Sequence, residues 1–241
     1  MTPIKDLEDK IADKTFILGV IGLGYVGLPL ALAYLKKNIK VIGFDADPGK
    51  IDKLCSGKSY IEHIPSEDIV GYVSEKQFEA TSDFARLNEP DALLICVPTP
   101  LTKNREPDLQ YIEKTGEAIG AVLRKGQIII LESTTYPGTT DEVLLTLLEK
   151  SGLEAGKDFF LAYSPEREDP GSKNFSTSTI PKVVGGIDED STLLASEVYK
   201  VAIQQVIPVS NSRVAEMTKL LENIFRSVNI ALVNELKVLC Q

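Results

Sequence analysis

The feature that most constrains this chain is a glycine pattern set between two kinds of apolar periodicity. Residues 16–21 are a compact β-rich run, Gly22-Leu-Gly24-Tyr-Val-Gly27 follows directly, and Leu30, Ala31, Leu32 and Ala33 continue in a helical pattern. In such a strand–turn–helix unit the first glycine makes the tight turn, the second lets the backbone approach a pyrophosphate, and the third lets helix pack on strand. The N–H groups of the helix then face the phosphates. Pro29 lies in the first helical turn, where no backbone donor is missed. Alone, six residues also describe an ordinary glycine-rich turn, and it is their place between strand and helix that favours a nucleotide.

The rest of the chain repeats the alternation. Strand patterns fall at residues 16–21, 40–45, 91–97, 127–132, 159–163 and 205–209, with helical patterns at 26–37, 111–123, 139–151 and 193–202. Thr139-Thr-Asp-Glu142 has the form of a capping box. Ile4, Leu7 and Ile11 predict a short helix lying on the body, and residues 164–181 are the loopiest stretch. The order predicts an α/β fold, a doubly wound, mostly parallel sheet followed by a long connecting helix. Residues 1–210 form the nucleotide-binding domain in this scheme, and 211–241 begin the helix.

Several polar residues end these strands, at the edge where ligands gather in an open parallel sheet. Asp45 ends the second strand 18 residues after Gly27, in register to accept hydrogen bonds from an adenosine ribose. Its charge would repel a 2′-phosphate, which favours NAD over NADP; the plain alternative is a helix cap. Lys50 lies either beside the adenosine or in solvent. With Gly22, Gly24, Tyr25, Val26 and Gly27 of the turn, Val97, Pro98 and Thr99 of Cys96-Val-Pro-Thr-Pro100 complete the candidate cofactor contacts. Thr99 otherwise satisfies a proline-fixed loop. Ser133-Thr134 follows another strand at the same edge, and Glu166 follows the next, where a carboxylate serves as acid or base or is an ordinary surface glutamate.

The last helix carries Val214, Met217, Leu221, Ile224, Phe225, Val228, Leu232, Leu236 and Leu239 on one broad apolar face. Lys219 and Asn223 project together from the opposite side, with Arg226 close by. An ammonium and an amide aimed at one point stabilise an oxyanion; a solvated polar face is the commoner use of such residues.

A net charge of −9 disfavours nucleic acid and anionic membranes as partners. No window reaches transmembrane length, and charged residues 5–10 break any secretory pattern. Cys55, Cys96 and Cys240 are odd in number and widely spaced, suggesting neither a disulfide framework nor a metal site and fitting a reducing cytoplasm. His63, the lone histidine, reads as a surface or packing residue.

The chain resembles, over nearly all its length, the amino-terminal half of the UDP-glucose/GDP-mannose dehydrogenase family, whose cofactor domain is Rossmann-type. The matching stretches are Gly19-Val-Ile-Gly-Leu-Gly-Tyr-Val-Gly-Leu-Pro-Leu, Cys96-Val-Pro-Thr-Pro, Glu132-Ser-Thr-Thr-Tyr-Pro-Gly, Ser164-Pro-Glu-Arg and Glu216-Met-Thr-Lys-Leu-Leu-Glu-Asn. Ser59-Tyr-Ile-Glu-His-Ile, Pro98-Thr-Pro-Leu-Thr-Lys-Asn-Arg-Glu-Pro and Ile180-Pro-Lys-Val-Val-Gly-Gly are similar to the UDP-N-acetylglucosamine 6-dehydrogenase branch.

The resemblance implies oxidation of a UDP-sugar at C6 to the carboxylate, with two NAD+ consumed through a cysteine-bound thiohemiacetal and thioester, for polysaccharide biosynthesis. It assigns Asp45 and Lys50 to the adenosine side, Thr99 and Thr134 to the cofactor with Thr134 near the catalytic water, Glu166 to acid/base work, and Lys219 with Asn223 to charge on the sugar oxygen. Some members carry a second glutamate four residues after the first, where this chain has Pro170. The nucleophilic cysteine belongs to a Gly-Gly-x-Cys setting in a carboxyl-terminal domain, whereas this sequence stops at Gln241. The expectation is therefore an NAD-binding portion inactive by itself, self-associating through the 211–241 helix, which in the family packs in a homodimer. A β-hydroxyacid dehydrogenase and a non-catalytic NAD-binding or interaction module are the competing readings; the Ser-Pro-Glu-Arg and Pro-Thr-Pro segments oppose the first.

Overall fold

The computed structural model describes residues 2–62, 64–166 and 180–240. In chain order these form α1 (Pro3–Ala12), β1 (Ile17–Ile21), α2 (Gly27–Leu35), β2 (Lys40–Phe44), α3 (Pro48–Cys55), α4 (Glu67–Ser74), β3 (Phe78–Thr81) and β4 (Ala92–Ile95). There follow α5 (Gln110–Val122), β5 (Ile128–Leu131), α6 (Leu145–Leu148), β6 (Phe160–Tyr163), β7 (Lys182–Gly186), α7 (Glu189–Lys200), β8 (Val206–Pro208) and α8 (Ser212–Leu239). His63 and most of the 164–181 stretch, Pro170 included, lie outside the described residues.

The strands make one eight-stranded sheet in the order β3-β2-β1-β4-β5-β6-β7-β8, parallel throughout except for the β6–β7 pair. This is the doubly wound, Rossmann-type α/β fold. Strands β1, β4, β5 and β6 are almost wholly buried, which is why they read as continuous apolar runs. Successive strand residues point to opposite faces and feed two cores. Leu18, Val20, Leu94 and Ile130 pack with α1, α2 and α7, while Ile21, Leu93, Ile95 and Leu131 pack with α5 and the 139–151 segment.

Helix α1 buries Leu7 and Ile11, as the sequence predicts. Two strands escape prediction. In β3 only Phe78 is buried, as expected at a sheet edge, and β7 opens on a lysine and ends in two glycines. Helices α3 and α4 are further additions, the first opened by Asp47, whose side chain caps the Gly49 amide at 2.8 Å, with Pro48 at its start.

The segment predicted as one helix over 139–151 is instead a π-helical turn (Thr139–Leu144), the short α6 and a 3₁₀ turn (Glu149–Ser151). Its capping box does not form. Gly138 at the N-cap position has φ +104°, which sends the Thr139 hydroxyl to the Tyr136 carbonyl at 2.8 Å. The cap comes from elsewhere: the Glu216 carboxylate of α8 accepts from the Gly138 amide. Apart from its first turns, α8 leaves the body, and residues 224–240 are exposed on every side.

Candidate functional site

Strand register explains why the candidate residues meet. Phe44 lies beside Ile21, Ile21 beside Ile95, Ile95 beside Leu131 and Leu131 beside Tyr163. The next residues, Asp45, Gly22, Cys96, Glu132 and Ser164, therefore line one carboxyl edge. The strand order turns about β1, between β2 and β4, and the crevice at such a switch point is where nucleotides bind in open α/β sheets.

A cleft of about 1140 Å³ opens along this edge. The glycine turn forms its floor, with each glycine doing a different job. Gly22 has φ +91°, and a Cβ there would stand 2.6 Å from the Cys96 carbonyl oxygen. At Gly27 a Cβ would stand 2.0 Å from the Gly22 carbonyl, so this residue is packing between strand and helix and does not line the cleft. Among the described residues, its chain neighbours aside, nothing lies within 4 Å of a Cβ built at Gly24. That open space beside the start of α2 is the cradle a pyrophosphate needs, and α2 has Val26, without a side-chain acceptor, at its N-cap. The residues present thus fit a dinucleotide.

Tyr25 and Val26 line the same cleft with Asp45 and Lys50 at one end. Asp45 is buried: one carboxylate oxygen accepts from the Leu23 amide and from the Lys50 ammonium, each at 2.9 Å, and the other from the Asp47 amide at 3.0 Å. Besides any ligand it binds, Asp45 therefore holds the glycine turn in place. The oxygen that accepts from Asp47 retains a lone pair for a ribose hydroxyl.

Val97, Pro98, Thr99 and Thr134 line the middle. The Thr99 hydroxyl donates to the Thr134 carbonyl at 2.8 Å, and the Ser133 hydroxyl donates to the Val97 carbonyl at 2.7 Å, stitching the loops after β4 and β5 together. Glu166 closes the far end. The Lys219 ammonium donates to the Glu166 carbonyl at 2.6 Å and its carboxylate at 3.2 Å, joining two candidates 53 residues apart. Asn223, half-buried, follows one turn later on the same face of α8, outside the cleft lining.

Sequence reasoning missed the outer wall. Phe84, packed 6.1 Å from Phe44, and Tyr111, Lys114, Thr115 and Ala118 of α5 also line the cleft. Their helical spacing was the available signal. Tyr60 was missed as well. Its hydroxyl donates to the Leu23 carbonyl; burial, then Asp45 and Asp47, push its pKa up, so it stays a protonated donor. No thiolate nucleophile is evident among the described residues. Cys96 lines the cleft, but burial, then Glu132, pushes its thiol well up and keeps it neutral, while Cys55 and Cys240 are exposed and outside the cleft.

Residues 17–203 match the NAD binding domain of the UDP-glucose/GDP-mannose dehydrogenase family and residues 213–241 match its central domain. The chain is 40% identical over 228 residues to the UDP-N-acetyl-D-glucosamine 6-dehydrogenase of Pseudomonas aeruginosa, covering 94% of this chain and 53% of that protein. It is 40% identical over 231 residues to the UDP-N-acetyl-D-mannosamine dehydrogenase of Campylobacter jejuni, covering 92% of this chain and 56% of that one. Among solved structures, the NDP-N-acetyl-D-galactosaminuronic acid dehydrogenase of Methanosarcina mazei Go1 superposes with a TM-score of 0.86 at 36% identity, covering all of this chain and 53% of the other. The chain spans about half the length of the curated relatives it matches.

Proposed function

Because the chain belongs to the UDP-glucose/GDP-mannose dehydrogenase family, we propose that it supplies the NAD-binding half of an enzyme that oxidises the C6 hydroxyl of a UDP-sugar to the uronic acid for polysaccharide biosynthesis. The observation that carries this reading is the single cleft along which the glycine turn, Asp45, Thr99, Thr134 and Glu166 are strung. NAD+, when held by these residues, would supply the hydride acceptor for the oxidation. The chain's own residues hold the cofactor and handle charge and protons.

The glycine turn receives the pyrophosphate, and Asp45, with Lys50 beside it, receives the adenosine ribose. The Asp45 carboxylate rejects a 2′-phosphate, so NAD is preferred to NADP. Thr99 and Thr134 orient the rest of the cofactor, and Thr134 also orients the water of the hydrolytic step. Lys219 and Asn223 stabilise negative charge on the sugar oxygen, a role that oriented donors perform at low local dielectric. Glu166, held by Lys219, serves as acid and base.

The sugar is of the UDP-N-acetylglucosamine, UDP-N-acetylmannosamine or UDP-glucose type. Relatives named for two different N-acetylhexosamines match to a similar degree, so the cofactor half does not choose among them. The covalent steps need an activated thiolate beside cofactor and substrate; burial, then Glu132, keeps the Cys96 thiol neutral, and Cys55 and Cys240 lie outside the cleft, so these residues alone do not complete the reaction. Residues 1–210 act as the cofactor unit and 211–241 as the start of a helix that pairs in a homodimer.

Calorimetric titration of the chain with NAD+, paired with NADP+, tests the reading. Binding of NAD+ with NADP+ at least about tenfold weaker, a difference of about 1.4 kcal/mol, is expected. A folded sample that binds neither, or that prefers NADP+, overturns it.

A further inference from the structure

Beneath the far end of the cleft lies a buried charged cluster that the proposed chemistry leaves unexplained. The Lys182 ammonium of β7 pairs with the Glu132 carboxylate at the end of β5, their side chains 8% and 0% exposed. The Tyr199 hydroxyl of α7 donates to the other Glu132 oxygen, and the ammonium sits 5.1 Å from the centre of the Tyr199 ring. Strand β6 runs between β5 and β7, so the pair bridges the end of an intervening strand. From that end the chain continues into Ser164 and Pro165, and Lys182 donates its next hydrogen bond, at 3.2 Å, to the Pro165 carbonyl.

Stability is a poor reason for such a pair. Withdrawing both ions from water costs several kcal/mol per ion, and well-packed apolar substitutes are often as stable. Geometry is a better one. A peptide unit is planar, so fixing the Pro165 carbonyl fixes the plane that carries the Glu166 nitrogen and Cα. Glu166 is the residue whose carbonyl and carboxylate both receive Lys219. Two ammonium groups thus hold the Pro165–Glu166 segment, Lys182 from the sheet and Lys219 from α8. Glu132 also directly precedes Ser133 and Thr134, so one anchor serves both loops.

We propose that Lys182 is a positioning residue for the Glu166–Lys219 pair: anchored by Glu132, its ammonium holds the Pro165 carbonyl and fixes where Glu166 meets Lys219. The functional weight of this rests on Glu166 and Lys219 being the working groups named above. The geometric claim stands apart from it and is testable on the chain itself.

A water-soluble carbodiimide activates the Glu166 carboxylate, the Lys219 amine attacks it, and an amide forms whose yield mass spectrometry reads. Lys182→Met with Glu132→Gln removes both charges at nearly constant shape and leaves Tyr199 a carbonyl to donate to. We expect this variant to melt within a few degrees of the parent while the cross-link falls at least about tenfold, as displacement of about an ångström can cost a proximity-dependent reaction up to about a hundredfold. Should it fail to fold, Lys182→Gln with Glu132→Gln replaces it: the two amides bond each other, and the shorter side chain at 182 does not reach Pro165. Tyr199→Phe is the control, since it disturbs the same cluster without touching Pro165 and should keep the parent's cross-link. A folded double variant with a parental cross-link, or a Tyr199→Phe chain that loses it equally, overturns the proposal. Failure of the parent to bind NAD+ would strike the cofactor reading and leave this comparison intact.

Discussion

The Glu216 carboxylate accepts hydrogen bonds from the Thr140 amide at 2.9 Å and the Thr140 hydroxyl at 2.7 Å, and a third from the Gly138 amide at 2.7 Å. A side chain of α8 thus caps a helical segment 76 residues earlier. Lys219 follows one turn later on the same helix face, and Thr134 precedes the capped segment by a short loop. The cap therefore sets the roll of α8 and the distance of Lys219 from the Thr134 loop. Arg213 reinforces it from the exposed side, with bonds of 2.7 Å to both Asp141 and Glu142.

Glu216→Ala should be costly. It strands two amides and a hydroxyl around a site that is 0% exposed, and unsatisfied buried donors cost about 1–3 kcal/mol each before relaxation. Chemical denaturation should show a loss of at least about 2 kcal/mol. Burial pushes the Glu216 pKa up, opposed by the Thr140 and Gly138 bonds, so the charged form is under strain in the fold. A variant as stable as the parent would mean that α8 is not fastened by this contact.

The glycine turn makes a prediction with opposite outcomes at neighbouring positions. The methyl group of Gly24→Ala meets nothing within 4 Å among the described residues beyond its chain neighbours, so its melting temperature should stay close to the parent's while the methyl intrudes where the pyrophosphate would lie. NAD+ affinity should fall about tenfold, the equivalent of about 1.4 kcal/mol. Gly27→Ala would place a carbon 2.0 Å from a backbone oxygen and should lose about 3 kcal/mol or fail to fold. Undiminished binding by Gly24→Ala would refute the assignment of this space to a ligand.

What was legible in the sequence follows the range of each interaction. Gly22, Gly24, Asp45, Thr99 and Thr134 could be expected at one cleft because each follows a strand, and parallel register brings strand ends to one edge without further information. The strands β3 and β7 were lost for local reasons: the first is a half-exposed edge, and the second begins with a lysine that is buried only because Glu132 awaits it. Nothing local to residues 132 or 182 signals the other. The capping box at 139 failed in the same way, since the competing acceptor came from α8 and the left-handed Gly138 turned Thr139 aside. The α5 wall was only partly visible, because helical spacing shows a stripe but not which stripe faces a cleft.

Asp91 should give the chain a characteristic acid response. Its carboxylate is buried, yet the Ile17 amide at 3.0 Å, Arg124 at 2.8 Å and Lys10 at 3.0 Å outweigh desolvation and hold its pKa below the ordinary 3.8. A depressed carboxylate contributes stability that is complete above its unfolded value and is lost as pH falls through the folded value. Asp91→Asn should therefore be less stable than the parent by about 2 kcal/mol at neutral pH, with the gap closing below about pH 4. Paired denaturation curves at pH 7 and pH 3 check this; a gap that widens in acid contradicts it.

The apolar stripe of α8 stands where the sequence placed it, facing away from the body. The helix docks through Ser212, Ala215 and Glu216, whereas Phe225, Val228, Leu232 and Leu236 are each more than half exposed. Ile230, Val233 and Val238 add apolar surface outside that stripe. Helix alone does not pay for this arrangement, because most helical stability in proteins comes from packing an apolar face, and here a run of several turns packs on nothing among the described residues. An uncovered surface of this kind gains by association, at about 25 cal/mol per Å² of apolar area removed from water. The chain should sediment as concentration-dependent oligomers. Phe225→Glu with Leu232→Glu, two turns apart on the stripe, should shift it to monomer without lowering NAD+ affinity, since neither residue lines the cleft. A parent chain that stays monomeric at high concentration would show that the stripe does not pair with itself, and the homodimer proposed for this helix would fall with it.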